Sequence, residues 1–135
     1  MMTVLKSETA PLQTEADLVR VRQTVRQWAI HQGFSLIDQT KVVTATSELA
    51  RNTIVHGGGG TVELEALSTG SRRGLRLIFV DHGPGIPDLA QAMTDGYTTG
   101  EGLGLGLGGT KRLVTEFEIT SQPGEGTRVC ITKWK

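Results

Sequence analysis

The run His56-Gly-Gly-Gly-Gly60 separates two kinds of sequence in this chain. Four successive glycines cannot hold a helical turn, because each gives up too much backbone freedom on coiling. Before the run, apolar residues recur with helical spacing. Leu18, Val21, Val25, Trp28 and Ala29 mark one helix, which starts at Thr14 and stops at Gly33. Ile37, Val42, Ala45, Leu49 and Ala50 mark a second, from about Leu36 to Val55. After the run, the period changes to two. Val62, Leu64 and Ala66 alternate with Thr61, Glu63 and Glu65, the pattern of a half-buried strand. A turn over 68–74 leads to a more fully buried strand, Leu75–Val80, and the two strands predict a hairpin.

The remaining segments complete one unit. Residues 1–13 read as a short strand interrupted by Pro11. Residues 87–101 form a polar connection with one helical turn near Leu89–Met93, and Leu105–Phe117 reads as a third helix. Glu118–Ser121 and Thr127–Trp134 are the last strands, joined by residues 122–126. Helices and strands are mixed without βαβ regularity. The expected fold class is therefore α+β: a two-layer sandwich in which a mostly antiparallel mixed sheet carries helices on one face. With 135 residues and neither repeat nor linker, residues 1–135 read as a single domain. A chain of this size buries roughly two-thirds of its unfolded surface, enough for an unaided core.

Charge and composition exclude several function classes. Lys plus Arg and Asp plus Glu number 14 each, so the formal net charge is zero. Non-specific nucleic-acid binding needs an excess of cationic charge, and no nucleic-acid partner is expected. The single cysteine, Cys130, sits in an apolar strand and reads as a core thiol of a reducing compartment. No apolar run approaches the length of a membrane span, and residues 1–8 lack the apolar segment of a signal peptide. The expectation is a cytoplasmic protein without membrane contact.

Four short motifs occupy the ends of these elements. In Glu48-Leu-Ala-Arg-Asn52, Glu48 and Asn52 share one helix face and border the apolar stripe. Asn52 offers a neutral oxygen suited to Mg²⁺, and Glu48 beside it can order water or take a proton from an attacking hydroxyl. The pair also reads as an ordinary surface Glu and an Asn near a helix end. Asp81-His-Gly-Pro-Gly-Ile86 follows a buried strand. Its carboxylate can accept a hydrogen bond from an exocyclic amino group, and Gly83 and Gly85 leave room for a flat ring. The alternative is a loop turn, for which Asp, Gly and Pro are the usual residues.

Gly102-Leu-Gly-Leu-Gly-Leu-Gly-Gly109 contains G-x-G-x-x-G at Gly104, Gly106 and Gly109. The dinucleotide reading needs a strand immediately before it, and residues 94–101 are not one. The P-loop reading fails because Lys111 follows Thr110 rather than glycine. What remains is glycine-rich backbone opening a helix, whose free N–H groups and dipole attract phosphates, with Lys111 and Arg112 adding charge. A flexible linker is the other reading. Gly124-Glu-Gly-Thr127 is by itself a hairpin turn, and Thr127 could reach a base or a water shared with Asp81.

In this order and spacing, the four motifs resemble the Bergerat-type ATP-binding fold of gyrase B, Hsp90, histidine kinases and anti-sigma-factor kinases, the GHKL superfamily. The resemblance covers nearly the whole chain. The nucleotide-binding residues it implies are Asn52, Asp81, Gly83, Gly85, Ile86, Gly102, Leu103, Gly104, Leu105, Gly106, Leu107, Gly108, Lys111 and Thr127. Glu48 is the implied catalytic base and Asn52 the implied metal ligand, for ATP and Mg²⁺. Residues 90–104 would be a lid.

Thr46-Ser-Glu-Leu-Ala-Arg-Asn52, Asp81–Asp88, Gly102–Gly109 with Lys111-Arg-Leu113, and Ile131-Thr-Lys-Trp134 are most similar to RsbT-type serine/threonine switch kinases, relatives of RsbW-type anti-sigma-factor kinases. That family implies MgATP-dependent phosphorylation of STAS-domain partners in a bacterial stressosome-type pathway controlling an alternative sigma factor, followed by activation of a PP2C-type phosphatase. The alternative is an anti-sigma factor that binds sigma directly, with incidental ATP binding.

Overall fold

A capping box starts the first helix. The Asp17 N–H donates to Thr14 Oγ1 at 3.2 Å, and the Asp17 carboxylate accepts from the Thr14 N–H at 3.1 Å. This pairing satisfies donors that a helix start otherwise leaves orphaned. The helix, α1, runs Glu15–His31 and ends before Gly33, whose φ of 81° is the left-handed conformation that helix ends favour. Ser35 caps the next helix, α2, Leu36–Val55, by accepting from the Asp38 N–H at 3.1 Å. On its buried face, the Thr46 and Thr53 hydroxyls donate to the carbonyls of Val42 and Leu49, one turn back, at 2.7 and 2.9 Å. Polar residues therefore sit inside this helix without unpaired hydroxyls.

The computed structural model describes residues 1–94 and 106–135. Five strands lie among them: β1 Met2–Leu12, β2 Gly60–Thr69, β3 Arg72–Asp81, β4 Glu116–Gln122 and β5 Gly126–Trp134. They form one sheet in the order β1-β2-β3-β5-β4, and every ladder described is antiparallel. Two short helices, α3 Leu89–Ala92 and α4 Gly106–Lys111, stand between β3 and β4. The α+β sandwich is thus as expected. Leu64, Leu75, Leu77, Phe79, Val129 and Ile131 are buried in one core with Leu18, Val21, Val25, Trp28 and Leu49 from the helices. Burying each large apolar side chain of this set contributes roughly 1.5–3 kcal/mol. Alternate strand positions carry polar groups, among them a Glu65–Arg76 ion pair at 2.6 Å. No helix among the described residues is long and apolar enough to cross a membrane.

Four local expectations are corrected. First, Pro11 does not interrupt β1, which pairs with β2 through Pro11 to Leu12. The strand lies at the sheet edge, where a residue without an N–H is tolerated. Second, the hairpin turn is shorter than 68–74. Thr69 pairs with Arg72, and a φ of 57° at Gly70 alone makes the reversal. Third, the helix expected over Leu105–Phe117 ends at Lys111, and Phe117 belongs to β4. The Thr115 N–H donates to the Thr132 carbonyl at 2.9 Å, so this backbone has already joined β5. Phe117 and Ile119 alternate with Glu116 and Glu118, and that period of two prevails. Fourth, Ile37 is 69% exposed and lies outside the core stripe. The first turn of α2 is held instead by Asp38, whose carboxylate pairs with Lys133 of β5 at 3.4 Å.

Candidate functional site

One row of paired residues crosses all five strands near one end of the sheet: Leu12, Gly60, Asp81, Thr127 and Ser121. Three motifs that are far apart in sequence contribute to this row or flank it. The last turns of α2 bring a fourth to the same place. Together they border a cleft of about 310 Å³. Leu49, Phe79, Ile119 and Val129 supply apolar lining; Glu48, Asn52, Asp81 and Thr127 supply polar groups. A mostly apolar concavity with a few convergent polar groups is the usual form of a small-molecule site.

Asp81 ends β3 and is 8% exposed. One carboxylate oxygen, Oδ1, accepts from the Gly83 N–H at 3.0 Å. This is the turn expected of Asp followed by Gly and Pro, and Oδ2 takes no part in it. Thr127 stands opposite Asp81 on β5, with its hydroxyl 2.9 Å from Ser121 Oγ. Ser121 also accepts from the Ile86 N–H at 2.8 Å and donates to the Gly126 carbonyl at 3.1 Å. Since Ser121 has one hydroxyl hydrogen, Thr127 is the donor between the two, and its own lone pairs stay available as acceptors. The Gly124 N–H to Pro84 carbonyl bond, 2.7 Å, fastens the same loop to the β4–β5 turn.

Glu48 is buried and Asn52 half-buried, one helical turn apart along the cleft. The Asn52 carbonyl accepts from the N–H groups of both His56 and Gly57, each at 3.0 Å, which closes the helix. Among the described residues, no buried side-chain nitrogen or oxygen lacks a hydrogen-bond partner.

Of the remaining expected site residues, Gly85, Ile86, Gly106 and Leu107 line the cleft. Gly83 packs behind Asp81 against the Gly57 backbone. Gly108 is buried in α4 but does not line the cleft, and Lys111 is exposed on the last turn of α4, apart from the lining. Gly102, Leu103, Gly104 and Leu105 lie outside the described residues, as does residues 95–104 of the expected lid. His56, Gly57, Pro84, Asp88 and Gln91 also line the cleft, and Ser121 positions two of its parts. The glycine run 57–60 thus does more than stop α2, since Gly57 borders the cleft. Nothing local marks Ser121, since its role arises from strand pairing.

The donor set can be tested against a metal. Among the described residues, no group of three or more His, Cys, Asp or Glu could hold an ion. That excludes a closed protein cage there but fits Mg²⁺, which takes one or two protein oxygens and completes its shell with phosphates and water. Asn52 would supply such an oxygen, with Glu48 one helical turn away along the cleft. Cys130 is half-buried and not the core thiol expected, because it alternates with Val129 and Ile131, which are buried in the core, and it is not among the lining residues. Burial pushes its thiol pKa up, against the pull of Arg128 and Arg76.

The profile of the histidine kinase-, DNA gyrase B- and HSP90-like ATPase family matches residues 37–135. The chain is 45% identical over 123 residues to the serine/threonine-protein kinase RsbT of Bacillus subtilis (strain 168), covering 91% of this chain and 92% of that one. It is 31% identical over 119 residues to the anti-sigma F factor of Thermoanaerobacter sp. (strain X514), covering 84% and 82%. Among solved structures, it superposes on the RsbU and RsbW domains of Rv1364c from Mycobacterium tuberculosis with a TM-score of 0.63 and 21% identity. That match spans 95% of this chain but 32% of the other, so it shows the fold alone. The mycobacterial sensor histidine kinase MprB gives a TM-score of 0.53 at 16% identity, over 95% of this chain and 97% of the other.

Proposed function

The chain belongs to the histidine kinase-, DNA gyrase B- and HSP90-like ATPase family and is a protein serine/threonine kinase, and from that premise we propose that the cleft binds ATP and passes its γ-phosphoryl group to a Ser or Thr of a STAS-domain partner. The observation that carries this reading is the convergence of Glu48, Asn52, Asp81 and Thr127 on one cleft.

Asp81 Oδ2 accepts a hydrogen bond from the adenine amino group, and Thr127 offers a further acceptor beside it. Phe79, Ile119 and Val129 give the base an apolar seat. Gly106 and Leu107, which line the cleft at the start of α4, approach the phosphates. Asn52 would hold Mg²⁺, which when bound would neutralise the charge of the phosphates. Glu48 takes the proton of the incoming hydroxyl as the γ-phosphoryl group transfers to its oxygen and ADP leaves. Lys111 acts at longer range than a lining residue would.

Residues 1–135 constitute one kinase domain that works in the cytoplasm as part of a partner-switching pathway. Its further partner is a PP2C-type phosphatase, activated on release from the STAS protein. A second reading, direct binding of a sigma factor, is favoured by the 31% identity to anti-sigma F factors. Incubation with labelled ATP, Mg²⁺ and a STAS-domain protein tests the proposal. Label on a Ser or Thr of the STAS protein is expected. ATP binding without transfer, accompanied by capture of a sigma factor, would replace it with the second reading.

A further inference from the structure

Gly57 lines the cleft and packs directly against the Asp81 turn. A Cβ at position 57 would lie 2.5 Å from both Asp81 Cβ and Oδ2, and closer still to Cγ. Such distances do not occur between real atoms, so any side chain there must displace the carboxylate. Gly57 has no left-handed φ that would itself demand glycine. What requires glycine here is the neighbour. The contact continues to the other end of the turn: a Cβ on Gly83 would lie 2.7 Å from the Gly57 carbonyl oxygen. Gly57 and Gly83 thus enclose Asp81 from two sides. Its Oδ1 is held by the Gly83 N–H, and Oδ2 is the oxygen beside Gly57. The Gly57 N–H is in turn bonded to the Asn52 carbonyl at 3.0 Å.

We propose that Gly57 is a specificity-determining positioning residue: by lacking a side chain, it lets the Asp81 carboxylate adopt the one placement that reads an exocyclic amino group, and it ties that carboxylate to the helix end carrying Asn52. The inference rests on the assignment of Asp81 as the base-reading group.

The test compares ATP with purine riboside triphosphate, which lacks the 6-amino group, in the parent and in Gly57→Ala. Binding is measured by calorimetry with Mg²⁺ present. The parent should prefer ATP by at least about tenfold, the worth of one charge-assisted hydrogen bond. In Gly57→Ala, ATP affinity should fall to that of the analogue, whose own affinity should change little. Gly58→Asn is the control. Nothing lies within 4 Å of a Cβ there, and the φ of 75° is one that Asn tolerates. It should keep the parental ratio.

If Gly57→Ala does not fold, the double variant Gly57→Ala with Asp81→Gly should restore a cooperative melt, because the displaced carboxylate is gone. A parental ATP preference in Gly57→Ala would overturn the inference alone, as would failure of the double variant to fold. A parent with no preference for ATP would overturn it together with the assignment of Asp81.

Discussion

Replacing Asp81 by Asn is the most demanding test of the base-reading assignment, because with adenine bound either orientation of the amide would set one donor against another. Asp81 is 8% exposed, with Oδ1 taken by the Gly83 N–H at 3.0 Å. If the amide oxygen keeps that bond, its NH₂ occupies the place of Oδ2 and faces the adenine amino group, donor against donor. If the amide flips, the oxygen serves adenine but the NH₂ faces the Gly83 N–H instead. Either way, one hydrogen bond to a charged acceptor is lost. Such a bond is worth about 1.5–3 kcal/mol, so ATP affinity should fall roughly 10- to 150-fold. The fold should survive, since the variant keeps the shape of the side chain and removes a charge that costs energy to bury. Calorimetry with MgATP, alongside thermal melts without nucleotide, separates the two effects. An ATP affinity within about twofold of the parent, well under 1.4 kcal/mol, would take Asp81 out of the site.

Glu48→Gln should still bind ATP while single-turnover phosphoryl transfer slows by about 10²–10⁴-fold, toward the low end because loose phosphoryl-transfer transition states lean lightly on a base. A parental transfer rate at saturating ATP would reduce Glu48 to a structural residue. Asn52→Ala leaves a better helix former in α2, so the melt should hold while Mg²⁺ ceases to strengthen ATP binding; an unchanged Mg²⁺ dependence would refute the ligand assignment. The Asp17 carboxyl is held below the usual aspartate range, first by the Gln13 N–H, with desolvation the next largest influence and opposing it, and then by the Thr14 N–H, Arg20 and the Thr14 hydroxyl. A depressed folded pKa stabilises above the unfolded value and loses that effect as pH falls through the folded one, so the parent's melting temperature should drop on acidification and Asp17→Asn should flatten that part of the profile. Cys130, with its thiol pKa raised by burial, should alkylate more slowly at neutral pH than a free cysteine, as mass spectrometry over a time course would read.

Local physics was legible in the chain without its fold. The glycine run marked the change from helical to alternating period, and α2 spans Leu36–Val55 as that pattern predicts. The motif residues were visible because each depends on near neighbours: Glu48 and Asn52 on helical spacing, Asp81 and Gly83 on turn chemistry. The exceptions came where distant contacts outweighed local preference. The segment after Lys111 carries apolar residues that fit a helix, yet pairing with Thr132 and Trp134 draws Thr115 into the sheet.

Only tertiary structure decided which motif faces which. The strand order β3-β5-β4 sets Asp81 beside Thr127 and Thr127 beside Ser121, and no sequence period encodes that register. Ser121 and Gly57 acquire their roles there. One is an ordinary strand serine and the other one of four glycines until the sheet and α2 bring them against the same loop. The reason is physical: helix period and turn type are fixed within a few residues, whereas register and close approach are chosen by the whole core, which must bury Phe79, Val129 and Ile131 together.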